Sequence, residues 1–126
     1  MKYEFDSNIP IYLQLEEVVK KDIIKEKYKL GEKIPSVREL ALLYSVNPNT
    51  VQKALQNLEK TGIIKSERAV GRFVSEDKTI IKQTQDQISM QIIDQFINQM
   101  HDLNYDNQEI IDMLTKKIGN NYDEII

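Results

Sequence analysis

Between Ile34 and Val74 the chain is punctuated by residues that leave it few conformational choices. Ser36-Val37-Arg38-Glu39 has the form of a capping box, a serine whose hydroxyl accepts from the N–H three residues on and a glutamate that reaches back. It predicts a short helix burying Val37, Leu40, Ala41 and Tyr44. Ser45-Val46 makes a turn, after which Asn47 suits the N-cap and Pro48 the first position of a second helix. That helix carries the stripe Val51, Ala54, Leu55 and Leu58 and stops at Thr61-Gly62. Two β-prone runs, Ile63-Ile64-Lys65-Ser66 and Arg72-Phe73-Val74-Ser75, surround Glu67-Arg68-Ala69-Val70-Gly71 and read as a hairpin. Two short helices joined by a tight turn and followed by a hairpin form a winged helix-turn-helix. The second helix of that fold fits the major groove of DNA.

The flanks extend the pattern. Pro10 suits the first turn of an opening helix whose inward face is Ile11, Leu15, Val18 or Val19, and Ile23, with Gly31 as the expected stop. Beyond Asp77, Ile81, Ile88, Ile92, Phe96, Met100 and Leu103 recur at helical spacing, and Ile93 and Ile97 widen the stripe. Asp106-Asn107-Gln108-Glu109 is a second capping box, starting a last helix with Ile110, Ile111, Leu114 and Ile118 inward. Gly119-Asn120-Asn121 is expected to end it, leaving Tyr122 to Ile126 as a loose tail. The fold class expected is mainly α, an α+β winged helix at 1–77 followed by a two-helix segment at 78–126.

Composition narrows the function classes. No apolar run approaches the roughly 20 residues that span a bilayer, and Met1 to Asp6 lacks the apolar core of a signal peptide. The cytoplasm is therefore the expected location, with no membrane partner. Without cysteine there is no disulfide, thiol switch or thiolate metal site. The net charge of −3 is unevenly spread: residues 1–78 carry 14 basic against 12 acidic residues, and residues 79–126 carry 3 against 8. Residues 33–72 alone hold 7 basic to 3 acidic. A basic segment beside an acidic tail suits an anionic partner gripped by part of the molecule, although scattered solvated charge gives the same count.

In a helix-turn-helix the start of the second helix meets base edges while the preceding helix braces the backbone. The polar residues there are Asn47, Asn49, Thr50, Gln52 and Lys53. Asn and Gln can bond adenine bidentately, Thr can meet phosphate or a thymine methyl, and Lys53 can pair with phosphate. Arg38 stands near the start of the bracing helix, where a guanidinium grips phosphate or guanine. Arg68 and Arg72 flank a hairpin tip short enough for a minor groove. Each has a plainer role open to it: Asn47 and Glu39 as caps, Thr50 and Gln52 as surface polars, the arginines as solubilising charge.

These motifs together carry a resemblance: Pro10-Ile11-Tyr12, Leu30-Gly31, Ile34-Pro35-Ser36-Val37-Arg38-Glu39-Leu40-Ala41, Val46, Asn49-Thr50-Val51, Ala54-Leu55, Leu58, Gly62 and Gly71-Arg72-Phe73-Val74. Residues 9–76 resemble the winged-helix domain of GntR-family transcription regulators, and the short helical remainder resembles the YtrA-type subfamily. The resemblance implies a dimeric, sequence-specific DNA binder, usually a repressor, often encoded with ABC-transporter operons. It assigns DNA contact to Ser36, Arg38, Asn49, Thr50 and the hairpin tip. Two positions depart from the pattern. Pro48 stands where many relatives carry a basic or hydroxyl residue, and Ala69 where glycine commonly follows a basic residue, a strain of roughly 1 kcal/mol or more if φ is positive there.

A winged-helix monomer reads few base pairs, so a homodimer on a palindromic operator is expected. The stripe from Ile81 to Leu103, with Ile110, Ile111 and Leu114, is the expected interface. Met90, Met100 and Met113 suit core filling or the lining of a small-molecule cavity, so an effector is left open. His101, the one histidine, lies near Asp102 and Asp106 and is expected to be inert. No cofactor, metal or catalytic constellation is expected. A winged helix serving as a protein-interaction module is the alternative reading.

Overall fold

The computed structural model describes the backbone of residues 3–125 and the side chains of residues 3–119. The elements run α1 (Ile11–Ile24), α2 (Val37–Tyr44), α3 (Pro48–Thr61), β1 (Ile64–Glu67), β2 (Gly71–Val74), α4 (Lys78–Asp102) and α5 (Asn107–Ile125). This is the mainly helical winged helix-turn-helix that the sequence predicts. Met1–Gln85 and Asp86–Ile126 form two compact units, so the first turns of α4 belong to the former.

In the first unit α1 and α2 both pack on α3, and β1 continues along it. Leu15, Val19 and Ile23 of α1 meet Leu40 and Ala41 of α2, and Val51, Ala54, Leu55 and Leu58 of α3, in one buried cluster closed by Ile63, Ile64 and Val74. Each fully buried Leu, Ile or Val among them contributes about 1.5–3 kcal/mol by leaving water. Ile81, expected at a dimer face, instead packs with Ile80 against this core. Ile11, expected inward, is exposed, because α1 has barely begun there and its inward stripe starts at Leu15. At the other end of the cluster, burial and then the charge of Asp22 push the Tyr44 phenol up to about 12. The group therefore stays protonated and its ring stacks edge-on with Tyr3 and Phe5.

Gly31 does not end α1. The helix stops at Ile24, Glu26 takes the left-handed conformation (φ 63°), and the Lys27 N–H closes back on the Asp22 carbonyl at 2.9 Å. Gly31, at φ 76°, turns the chain onto the hairpin, where its N–H donates to the Val74 carbonyl at 3.0 Å. The Ile34 N–H donates to the Arg72 carbonyl at 3.0 Å, so residues 31–34 line the open edge of β2. Pro10 is likewise the N-cap of α1 rather than part of its first turn.

The strands pair antiparallel, Ile64 with Val74 and Glu67 with Gly71. The Val70 N–H closes a turn on the Glu67 carbonyl at 3.0 Å, with Ala69 at φ 66°. A positive φ at the third turn position is the demand of a type II turn, normally met by Gly or Asn. The strain anticipated at Ala69 is therefore real. Ala69→Gly is expected to stabilise the unit by about 0.5–1 kcal/mol, the relief of left-handed strain less the entropy of a freer unfolded chain. A urea midpoint that failed to rise would contradict it.

In the second unit the capping box at Asp106 is formed: its Oδ1 accepts from the Glu109 N–H at 2.8 Å, and Glu109 Oε1 accepts from the Asp106 N–H at 3.1 Å. Contrary to expectation, α5 continues through Gly119 to Ile125. Gly119 does not take the positive φ of a helix-ending glycine, and a glycine held in helical geometry weakens a helix without stopping it. Of the expected tail, Ile126 lies outside the described residues. Ile110 is buried, but Ile111, Leu114 and Ile118, expected inward with it, are exposed, as are Met90, Ile92, Ile93, Leu103 and Met113. Ile88, Phe96, Ile97 and Met100 are half-buried. The long stripe is therefore only partly covered by its own chain, with Ile92, Ile93 and Leu103 left exposed.

Candidate nucleic-acid interface

Two caps set the geometry of the helix-turn-helix. Ser36 Oγ accepts from the Glu39 N–H at 3.1 Å while Glu39 Oε1 accepts from the Ser36 N–H at 3.3 Å, which starts α2 and absorbs the one carboxylate beside Arg38 in its first turn. Ser45, left-handed at φ 55°, ends α2 and turns the chain. Asn47 Oδ1 then accepts from the Asn49 N–H at 2.8 Å, with Pro48 at the first helical position of α3. Asn47 therefore serves the cap through its Oδ1, and it stands exposed together with Arg38 and Asn49.

Because Val51, Ala54, Leu55 and Leu58 face the core, helical periodicity turns Asn49, Lys53, Gln56 and Lys60 to the opposite side. All four are exposed. Asn49 and Lys53 are among the residues that the sequence nominates for DNA contact. Gln56, three residues beyond Lys53, and Lys60, four beyond Gln56, are not among them, although they continue the same ridge. Thr50 and Gln52 sit half-buried on its shoulders.

Both shoulders of the ridge are tied down. On one, Glu59 receives the Nε–H of Arg72, which fastens the hairpin to α3. Arg72, expected to meet DNA, is half-buried in this pair, while Arg68 at the tip is exposed. On the other shoulder, Asn57 of α3 hydrogen-bonds the buried Glu16 of α1, whose carboxyl is raised by desolvation although that bond and Lys20 pull it down. Next to them the Lys53 ammonium lies 3.9 Å above the ring centroid of Tyr12. Glu39 is held in the cap and Glu59 in the pair with Arg72, while Arg38, Lys53, Lys60 and Arg68 are exposed. Elsewhere, His101 Nε2 lies 2.7 Å from Asn107 Oδ1, and among the described residues no cluster of His, Cys, Asp or Glu could hold a metal.

A capped bracing helix, a tight turn, a polar helix ridge and a flanking basic hairpin define a winged helix-turn-helix DNA-binding domain. The model of the bacterial regulatory proteins of the gntR family matches residues 11–74, and the chain belongs to that family. It is 46% identical over 71 residues to the HTH-type transcriptional repressor YtrA of Bacillus subtilis (strain 168), covering 56% of this chain and 55% of that protein. A solved GntR family transcriptional regulator from Listeria monocytogenes superposes with a TM-score of 0.82 at 38% identity, over 89% of this chain and 98% of that one. The DNA-binding domain of AraR, solved in complex with operator ORE1, matches with a TM-score of 0.52 at 28% identity over 60% of this chain and 94% of that domain. The chain is accordingly a transcriptional regulator and not an enzyme. Among the described residues no helix is long and apolar enough to cross a membrane.

Proposed function

We propose that this regulator is a cytoplasmic homodimeric repressor that reads a palindromic operator with one α3 per subunit in the major groove. The observation that carries the reading is the exposed ridge Asn49-Lys53-Gln56-Lys60, polar along its length and braced on both shoulders. Asn49, Thr50, Gln52 and Gln56 are assigned to base edges, where carboxamides suit adenine and Thr a thymine methyl. Ser36, Arg38 and Lys53 are assigned to phosphates. Arg68 is assigned to the minor groove at the flank, with Arg72 holding the hairpin through Glu59. The second unit, with Ile88, Ile92, Ile93, Phe96, Ile97, Met100, Leu103, Ile111 and Leu114, is assigned to pairing the subunits. Half-sites are then expected about one helical turn apart, roughly 34–36 Å. Repression is supported by the likeness to the repressor YtrA, and resemblance to YtrA-type regulators suggests an operon that includes ABC-transporter genes.

Selection of bound sequences from a random duplex pool tests the assignment. A palindrome with half-sites in that register is expected, and recovery of unrelated sequences would overturn it. On the duplex recovered, Arg38→Ala is expected to weaken binding and to reduce the slope of log affinity against log salt by about one, the signature of one lost phosphate contact. Arg38 is exposed, so its thermal midpoint should stay put. An unchanged slope would remove Arg38 from the interface.

A further inference from the structure

We propose that Tyr12 of α1 is a positioning residue for DNA binding, because its ring holds the Lys53 ammonium in place at the edge of α3. The inference rests on the reading of α3 as the DNA-facing helix. Lys53 belongs to the outer ridge, and a lysine there would ordinarily wave freely in solvent. Here its ammonium sits 3.9 Å above the Tyr12 ring centroid, well inside the roughly 6 Å over which the ring quadrupole attracts a cation. Tyr12 is a firm platform, half-buried and packed against the hydrophobic core. The neighbouring Glu16, itself buried and bonded to Asn57, adds an attractive charge on the same side of Lys53.

An ammonium has three donors in a compact head. A ring face occupies one side of it and leaves N–H groups directed away from the ring for a phosphate oxygen. A long, flexible lysine gives up rotamer freedom when it grips a phosphate. One already held over a ring gives up less, so the platform strengthens binding through preorganisation and touches no nucleotide itself. Among the described residues no aromatic ring lies under Arg38, Lys60 or Arg68, which makes Lys53 the outward cation whose position α1 dictates.

The test is a double-mutant cycle in the full chain on the duplex recovered by selection, read as dissociation constant and salt slope. Tyr12→Phe keeps the ring and is expected to bind like the parent. Tyr12→Leu keeps apolar packing but loses the quadrupole, and should weaken binding about two- to fivefold, the ratio equivalent to an exposed cation–π contact. Lys53→Ala should weaken binding and lower the salt slope by about one. In the Lys53→Ala background, Tyr12→Leu should then cost nothing further. The Lys53 ε-methylene protons should also show an upfield ring-current shift in the parent and in Tyr12→Phe that is lost in Tyr12→Leu, which a general loss of stability does not mimic. If Lys53→Ala weakens binding but Tyr12→Leu costs the same with or without Lys53, the positioning role is overturned while α3 remains the reading helix. Tyr12→Leu binding as tightly as the parent, or more tightly, overturns it likewise. If Lys53→Ala and Arg38→Ala both leave affinity and slope unchanged, the DNA-facing assignment falls, and this proposal with it.

Discussion

Ile92→Asp is expected to leave a folded monomer that binds an operator duplex about 100-fold or more weakly, because two half-sites held by one dimer gain that much from effective concentration. Ile92 is 56% exposed on α4, so its side chain adds little to the stability of its own chain. It is not isolated. Ile93 follows it, and Ile111, Leu114 and Ile118 of α5 are exposed as well. Monomeric proteins rarely leave a contiguous aliphatic surface to water, and in the proposed homodimer a two-fold partner covers it with the same surface. In such an interface the symmetry places two aspartates where two isoleucines were, and each must lose water without a partner. Sedimentation should show a single protomer, far-UV circular dichroism should be unchanged, and titration of the duplex should show the loss. A dimer that survives the substitution would take Ile92 out of the interface. A monomer of undiminished affinity would show that pairing does not set operator binding.

What could be read in advance divides by distance along the chain. The Ser36–Glu39 and Asp106–Glu109 boxes and the Asn47 cap involve partners within three residues, and the backbone realises all of them. Gly62 ends α3 at φ 86° for the same local reason. Ala69 was legible as a strained turn residue because a type II turn is also a local object. Gly31 was misread because its partner, the Val74 carbonyl, lies far along the chain, while the residue that does end α1 is a glutamate with no special propensity for it. Ile81 stands seven residues before Ile88, in phase with the stripe of α4, so periodicity alone could not assign it to the winged-helix core. Side-chain identity and helix phase nominate Arg38, Asn49 and Lys53 for the candidate site, and all three stand exposed. The Arg72–Glu59 pair and the Tyr12 ring under Lys53 join separate elements and needed the tertiary structure.

Leu55→Ala separates the two faces of α3. Leu55 is 0% exposed, in the cluster with Leu15, Leu40 and Leu58, so its truncation should cost about 2–5 kcal/mol through lost transfer energy and a residual cavity. That is a large share of the roughly 5–15 kcal/mol that keeps a small domain folded, and the urea midpoint should fall steeply. Gln56, the next residue, points the other way, and Gln56→Ala should move the midpoint by no more than about 0.5 kcal/mol. DNA binding should respond in the opposite sense. At low temperature, where Leu55→Ala remains folded, its preferred sequence should match the parent's, because the ridge residues are untouched. Gln56→Ala should alter preference at the base pair it meets, by about 1–3 kcal/mol of discrimination. Should Leu55→Ala change the preferred sequence while folded, the two faces are not independent, and core packing would be part of how α3 is aimed. Should Gln56→Ala leave every position equally preferred, the base-reading stretch of α3 would end before Gln56 and be confined to its first turn and a half.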